Sequence, residues 1–376
     1  MKFLILNTDY PEFLRRLYAQ HPGLEKRPYD EQMRVRNESL FGVADFYSRN
    51  LLKLGHEAYD IHANNEFMQK AWAREHGREV REPARSVGTR YLRSFLRPLL
   101  RSRDSEPAWF RNVLTAQIRH HKPDVILNQA VSQISGRFLK SIDPCVRLLM
   151  GQIASPLPEG EDFASYDLLV SSLPNLVQFF RRIGRSAELH RLAFEPLVLS
   201  MLRNHVKRVS ISFVGSLFSS HRSRIEWLEL LSRCLDVQIW GQGVSGLPEN
   251  SWIRKRYEGN AWGIQMYGIL HSSKITLNNH IDVAGSYANN MRLFEATGVG
   301  ALLVTDWKVN LHEMFEPGKE VVAYRSPEEC VELVQYYLEH DKEREAIARA
   351  GQERTLREHT YYHRMQELVE IVGRYL

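Results

Sequence analysis

The sequence predicts an α/β protein made of two Rossmann-like halves, and three observations carry that prediction. Short, continuous apolar runs alternate with helical stretches along the chain. Each run ends in polar or small residues. The same grammar starts again after about residue 200. A length of 376 residues also exceeds the roughly 250–300 residues that one core usually supports, so two domains are expected.

The elements follow in order. Lys2-Phe3-Leu4-Ile5-Leu6 is an apolar run closed by the polar turn Asn7-Thr8-Asp9-Tyr10-Pro11, the pattern of a buried parallel strand. A helix is expected over about 31–54, stopped by Gly55. Strands are expected at Glu57–Ile61, Pro123–Asn128, Val146–Gly151 and Asp167–Ser171. A joint near 195–208 precedes the second half. There, strands are expected at Val209–Val214, Asp236–Trp240, Lys274–Asn278, Ala301–Thr305 and Glu320–Tyr324. Helices are expected from about Ser220 to Cys234 and from near Asn289-Asn290. Ser326-Pro327-Glu328-Glu329 is a helix start, with a capping serine, proline at the first position and glutamate three residues after the cap. Helices over about 327–340, 342–358 and 361–375 fill the remainder. The expected boundaries are 1–200 for an acceptor-side domain, with a basic insertion at about 66–110, and 201–376 for a nucleotide-binding domain.

Composition excludes several classes. A chain that is 43% apolar and 25% charged is that of an ordinary soluble protein. No run of about 18 apolar residues exists to span a bilayer, and Phe3–Leu6 is too short for a signal-peptide core. Cys145, Cys234 and Cys330 lie far apart and form neither a disulfide framework nor a metal spacing, so a reduced cytoplasmic setting is expected. The net charge of +5 is local: residues 74–103 hold nine arginines against three glutamates. Without that stretch the chain has 41 basic and 42 acidic residues, which disfavours a nucleic-acid-binding role. Within it, Arg90–Arg101 pairs an apolar stripe (91, 92, 95, 96, 99, 100) with arginines three and four apart. Such a segment can meet an anionic membrane, peripherally at the inner face, or an acidic acceptor; it can equally be an ordinary helix laid on its domain core.

The densest chemical signal is Lys274-Ile-Thr-Leu-Asn278-Asn279-His280, followed by Asn289-Asn290-Met-Arg292-Leu-Phe-Glu295 and a glycine turn through Gly298 and Gly300. A helix N-terminus has unpaired amides and favours phosphate. Arg292 adds a forked cation suited to a diphosphate, and Glu295, three residues on, is placed to accept from a ribose diol. A capped surface helix with an Arg–Glu pair is the plain alternative. Phe213-Val-Gly215-Ser216, with His221, Arg222 and Arg224 beyond, sets small residues and then cations just after a strand, where backbone can approach phosphate closely. Gly241-Gln-Gly243-Val-Ser-Gly246 spells G-x-G-x-x-G, but Pro248 and Glu249-Asn250 interrupt the helix that such a fingerprint must open, so it reads as a loop at the cleft rim. Tyr257-Glu-Gly259-Asn-Ala-Trp262 offers backbone and an aromatic face for a base. No Asp-x-Asp, Walker loop, Gly-x-Ser-x-Gly or His-Glu-x-x-His occurs, which removes metal-held phosphates, P-loop chemistry, and serine or zinc hydrolysis from the leading readings.

From about Ile211 onward these motifs, in this order, resemble the CgeB-like glycosyltransferases of the spore maturation protein type, relatives of the GT-B nucleotide-sugar transferases. The series continues through Leu303-Val-Thr305-Asp306, Phe315-Glu-Pro-Gly318, Ser326-Pro-Glu-Glu, and Ala350-Gly351 with His359-Thr360-Tyr361 and Arg364. The resemblance implies two Rossmann domains facing across a cleft, a nucleotide held by the second, no metal or other cofactor, and a last helix folded back onto the first. It assigns Gly215, Ser216, Arg222, Lys274, Asn278, Asn279, His280, Asn290 and Arg292 to the donor diphosphate and sugar. Gly241, Tyr257, Gly259 and Glu295 fall to the ribose and base. One departure is plain: where many retaining relatives carry a second glutamate eight residues before Glu295, this chain has Tyr287.

The expected activity is therefore transfer of a sugar from a nucleotide-diphosphate sugar to a hydroxyl of a glycan, lipid-linked or other acceptor. A nucleotide-sugar epimerase and a non-catalytic nucleotide-sugar-binding scaffold are the alternatives. An inverting route needs a general base, for which Asp9 at the end of the first strand is the candidate; a retaining route needs none.

Overall fold

The computed structural model describes residues 1–78, 107–142, 146–202, 208–218 and 222–376. Most of the basic stretch with its Arg90–Arg101 segment, together with Cys145 and His221, lies outside them. Apolar runs buried on both faces become parallel strands, and these assemble into two six-stranded sheets. The first orders its strands β2-β1-β3-β4-β5-β6, with β1 Lys2–Asn7, β2 Glu57–His62, β3 Val125–Asn128, β4 Leu148–Gln152, β5 Leu168–Ser171 and β6 Ala187–Leu189. The second runs β12-β11-β10-β7-β8-β9, with β7 Val209–Val214, β8 Val237–Trp240, β9 Tyr257–Gly259, β10 Ser273–Asn278, β11 Leu302–Asp306 and β12 Val322–Tyr324. Every pairing within both sheets is parallel. In each sheet the order reverses beside a central strand, β1 in one and β7 in the other, which is where an open α/β sheet leaves a crevice.

Ten of the sheet strands fall where the apolar runs placed them, to within two residues at either end; β6 and β9, three residues each, were not foreseen. The single helix expected over 31–54 is two, Tyr29–Glu38 and Phe46–Lys53. Between them Leu40, Gly42 and Ala44 all take positive φ. That break brings Phe41 into a cluster with Phe13, 4.1 Å away, and Trp262 of the other sheet's domain, 5.0 Å away.

The two halves are joined at several points. The backbone around Phe194 bonds that around Thr360, with Phe194 N–H donating to His359 and Tyr361 N–H to Phe194. The final helix, Tyr361–Gly373, packs on Phe46–Lys53; the Tyr361 ring lies 5.2 Å from Phe46 and 5.6 Å from Tyr47. Its buried Met365, Leu368, Ile371 and Val372 each contribute about 1.5–3 kcal/mol relative to exposure. At the opposite side, Ile264 N–H donates to Ser39 O at 2.9 Å, and a Cβ on Gly263 would stand 1.8 Å from that same oxygen. Among the described residues, no helix is long and apolar enough to cross a membrane.

Candidate functional site

A cavity of about 740 Å³ opens between the carboxyl ends of the two sheets. Its floor is backbone. Gly241 has φ +148°, and a Cβ there would fall 1.7 Å from Gly215 O, so the loops after β7 and β8 touch main chain to main chain. Gly215 N–H donates to Trp240 O at 3.0 Å and Leu217 N–H to Gln242 O at 2.7 Å. Only a glycine at 241 permits that approach, and Gly215 and Ser216 line the cavity beside it. Gly243 caps, and Gly246 ends, the three-residue 3₁₀ turn Val244–Gly246, which opens no long helix, in keeping with a loop at the rim.

The asparagines form a lattice above this floor. Asn278 donates to Thr305 Oγ1 at 2.9 Å and accepts from Asn290 Nδ2 at 2.9 Å. Asn290 in turn caps the helix Met291–Gly298 by accepting from Leu293 N–H. Asn279 donates to Tyr324 Oη at 3.3 Å, and its Oδ1 is buried without a partner. The lattice fixes the helix start, whose first residues face the cavity.

Arg292 donates to Val214 O at 3.0 Å and pairs with Glu295 at 2.8 Å. Burial pushes the Glu295 carboxyl up, while the Arg292 charge and a Tyr267 hydrogen bond pull it back; the net direction is upward. The second cation is Arg224, only 7% exposed, which donates to Asn279 O at 2.8 Å and Ser216 O at 3.4 Å. Among the described residues it meets no carboxylate at ion-pair distance. Burial draws its guanidinium below its ordinary value. The Nε atoms of both arginines are buried and unpartnered. Two guanidiniums at one corner, one lacking a counter-ion, form a receptor for an anion of more than one charge.

His280 closes the corner. Its Nδ1 lies 2.6 Å from Asp306 Oδ1 and its backbone N–H donates to the same oxygen at 3.0 Å, while Lys308 Nζ sits 3.2 Å from Asp306 Oδ2. Burial pushes the Asp306 carboxyl up, but the His280 hydrogen bond and the charges of His280 and Lys308 outweigh it and hold it below its ordinary value. The opposite wall comes from the first domain and is mostly apolar: Tyr10 (59% exposed), Phe41, Ala154, Leu173 and Leu192, with Ser172 among them. Asn289 reaches across to donate to Ser172 O at 2.7 Å.

The structure thus gathers Gly215, Ser216, Gly241, Asn278, Asn279, His280, Asn290, Arg292 and Glu295 around one cavity. Five sequence assignments are corrected. Arg222 points away, its side chain 86% exposed and paired with Glu226; Arg224 is the arginine that faces in. Lys274 sits at the start of β10, 4.0 Å from Asp341, at the end of the strand opposite the crevice. Tyr257 and Gly259 do not line the cavity. Tyr257 Oη donates to Gly241 O at 2.9 Å and Gly259 O accepts from Gly241 N–H at 3.0 Å, so both act by holding the Gly241 turn. Asp9 is buried against Arg36, 2.5 Å away, and His62, 3.2 Å away, and does not line the cavity. Burial pushes its carboxyl up, yet those two charges hold it well below the usual carboxylate range, which makes it a poor base. The neighbouring Tyr10 takes its place at the wall. Gln242, Asn260, Trp262 and Met266 line the cavity without having been singled out, save Asn260 and Trp262 as part of the 257–262 stretch. Among the described residues, no three His, Cys, Asp or Glu side chains converge as metal ligands.

Comparison with known proteins agrees with this fold. Residues 222–370 match the family model described as "Glycosyl transferase-like". Anabaena HepE, solved in complex with UDP-glucose, superposes with a TM-score of 0.58 at 12% identity over 99% of each chain. The fold is GT-B. AviGT4, a glycosyltransferase involved in avilamycin A biosynthesis, gives 0.54 at 15% identity over 98% of this chain and 96% of its own. Sucrose-phosphate synthase from Thermosynechococcus elongatus gives 0.56 at 10% identity over 100% and 99%. At these identities the likeness is one of architecture. No curated protein matches the chain in sequence.

Proposed function

We propose that this GT-B protein is a glycosyltransferase of the CgeB-like type that moves a sugar from a nucleotide-diphosphate sugar to an acceptor hydroxyl without a metal. The observation that carries the reading is Arg224: a buried guanidinium with no carboxylate partner among the described residues, beside Arg292 and the Gly215-Ser216 backbone. A diphosphate supplies the missing charge, and the same cations then stabilise charge growing on it as the glycosyl bond breaks. HepE holding UDP-glucose in the same architecture supports that donor class. Glu295, held by Arg292, is the ribose acceptor in this reading, and the aromatic and aliphatic wall around Tyr10 receives a glycan or lipid-linked acceptor. The donor sits in the second domain, 201–376, and the acceptor against the first, 1–200. Peripheral contact with an anionic membrane through Arg90–Arg101, on the cytoplasmic side, belongs to the same reading and rests on the residue pattern alone.

A thermal-shift screen of nucleoside diphosphates and their sugars tests it, because a ligand that binds the folded state raises the melting temperature. A hit is followed by transfer assays on glycan and lipid-linked acceptors. No stabilisation by any nucleotide sugar sinks the reading. Donor turnover without acceptor points to an epimerase, and binding without turnover on any acceptor to a scaffold. Liposome pelleting that is equal with and without the 90–101 segment ends the membrane contact.

A further inference from the structure

Nδ1 of His280 is committed to Asp306, at 2.6 Å. A carboxylate can only accept, so the proton of the neutral ring sits on Nδ1 and Nε2 is a bare lone pair. That Nε2 is buried, has no partner, and belongs to a side chain lining the cavity beside Arg224 and Arg292. A lone pair aimed at a phosphoryl oxygen is repulsive. A phosphate can settle there only if Nε2 gains a proton, and the resulting imidazolium then lies between two anions.

Charged groups face the ring from several elements. From β11 and the turn after it, Asp306 and Lys308 face the ring. Arg224 contributes from helix Arg222–Cys234, Arg292 and Glu295 from helix Met291–Gly298, and Tyr324 from β12, its Oη donating to Asn278 O. Asp282 follows two residues on, bonded to Ser223. The first domain brings Ser172 and Leu173 to this part of the cavity, neither of which titrates. The cations Arg224, Arg292 and Lys308 oppose a further positive charge on the ring and Asp306 favours it; a bound diphosphate adds to the favourable side.

We propose that His280 couples donor capture to proton uptake: oriented by Asp306, it binds the diphosphate as an imidazolium whose Nε2–H donates to a phosphoryl oxygen. No covalent bond forms or breaks in this step. The inference rests on the nucleotide-sugar reading above and names a pH control on the same site. His280 is a binding residue here and Asp306 a positioning one.

The test is calorimetry on the full chain with UDP-glucose, and with ADP- and GDP-glucose in parallel, because the phosphates of such diesters stay ionised at neutral pH. Titrations in buffers of different ionisation enthalpy read proton uptake. The expected result is uptake approaching one proton, with affinity falling by up to about tenfold per pH unit above the histidine range. His280→Gln abolishes both uptake and pH slope while retaining measurable binding. Asp306→Asn, which leaves the ring in place, weakens both, and decides the matter if His280→Gln fails to fold by circular dichroism. Binding with no proton uptake, or with uptake unchanged in the folded variants, overturns the inference while leaving the donor assignment intact. Affinity that improves as pH rises also overturns it, since Nε2 then accepts from a sugar hydroxyl. Absence of binding by every nucleotide sugar removes the donor reading itself, and this inference with it.

Discussion

Replacing Arg224 by methionine tests whether it, and not the Arg222 first assigned, faces the diphosphate. Of the five N–H groups of its guanidinium, two are used on Ser216 O and Asn279 O. The rest, with the positive charge, remain for a ligand. Charge-assisted hydrogen bonds contribute about 1.5–3 kcal/mol each, so losing two at the low end costs about 3 kcal/mol of donor binding. At about 1.4 kcal/mol per tenfold, the dissociation constant rises on the order of a hundredfold. The folded protein without ligand responds differently. Two backbone carbonyls lose a partner, each worth about 1 kcal/mol, but a buried cation without a counter-ion is also removed, and the two effects oppose one another. The melting temperature of the free protein therefore stays within about 3 °C, while the shift caused by donor largely disappears. Arg222→Ala is the companion variant; its side chain stands in solvent, so donor affinity is unchanged. Calorimetry on both variants reads the outcome. Equal affinity in wild type and Arg224→Met refutes the assignment, and a loss confined to Arg222→Ala inverts it.

Three further outcomes are expected. Gly241→Ala drives a Cβ into Gly215 O, so stability falls on the order of 3 kcal/mol and donor binding weakens; an unchanged urea midpoint refutes the close approach. Burial pushes the Asp60 carboxyl up to about 7 despite a hydrogen bond from Ser48. Above the ordinary carboxylate range the unfolded chain has lost that proton while the folded chain keeps it, so this group lowers stability as pH rises from about 4 to about 7. Asp60→Asn removes that slope, and denaturant melts at the two ends of the window that keep the wild-type difference contradict it. Gly263→Ala collides with Ser39 O and breaks the Ile264–Ser39 bond, so small-angle scattering of the free protein yields a larger radius of gyration; an unchanged radius shows that the bond does not hold the halves together.

Much of the architecture was legible because a strand buried on both faces is an uninterrupted apolar run, as Phe3–Leu6 and Leu302–Val304 are. The edge strand Tyr257–Gly259 was not, since a three-residue rim strand that is only half covered has no apolar signature. The split of the 31–54 helix had one local cue, Gly42; the positive φ at the buried Leu40 and Ala44 has none in the sequence. At the site, the cue that separates Arg224 from Arg222 was present in the sequence. Arg224 shares the spacing of Trp227, Leu228 and Leu231, the buried stripe of its helix, whereas Arg222 stands four residues from Glu226 on the wet face. The polarity of β10 was likewise readable, for ligands gather at carboxyl ends and Lys274 opens the strand. Asp9 was different. Its partners Arg36 and His62 come from a helix and a strand far along the chain, and nothing local announces a pair made only in the tertiary fold.

The seam at Phe194 and Thr360 bears on how such a molecule turns over. The chain passes between the halves near these two residues, and at both the backbone is stitched to the other pass. Gly298 lies beneath the Phe194 ring with no room for a Cβ, which locks the seam to the foot of helix Met291–Gly298. A single tether would leave the halves joined by covalent chain alone; two bound crossings hold them at the seam as well. Tyr10 and Trp262 stand at the cavity rim with their rings 6.2 Å apart, so a ligand entering there meets side chains of both halves. In the nucleotide-sugar reading, Arg224, His280 and Arg292 face the diphosphate that every such donor shares, so this corner sets the class of ligand and leaves the choice among sugars to the rest of the cavity wall.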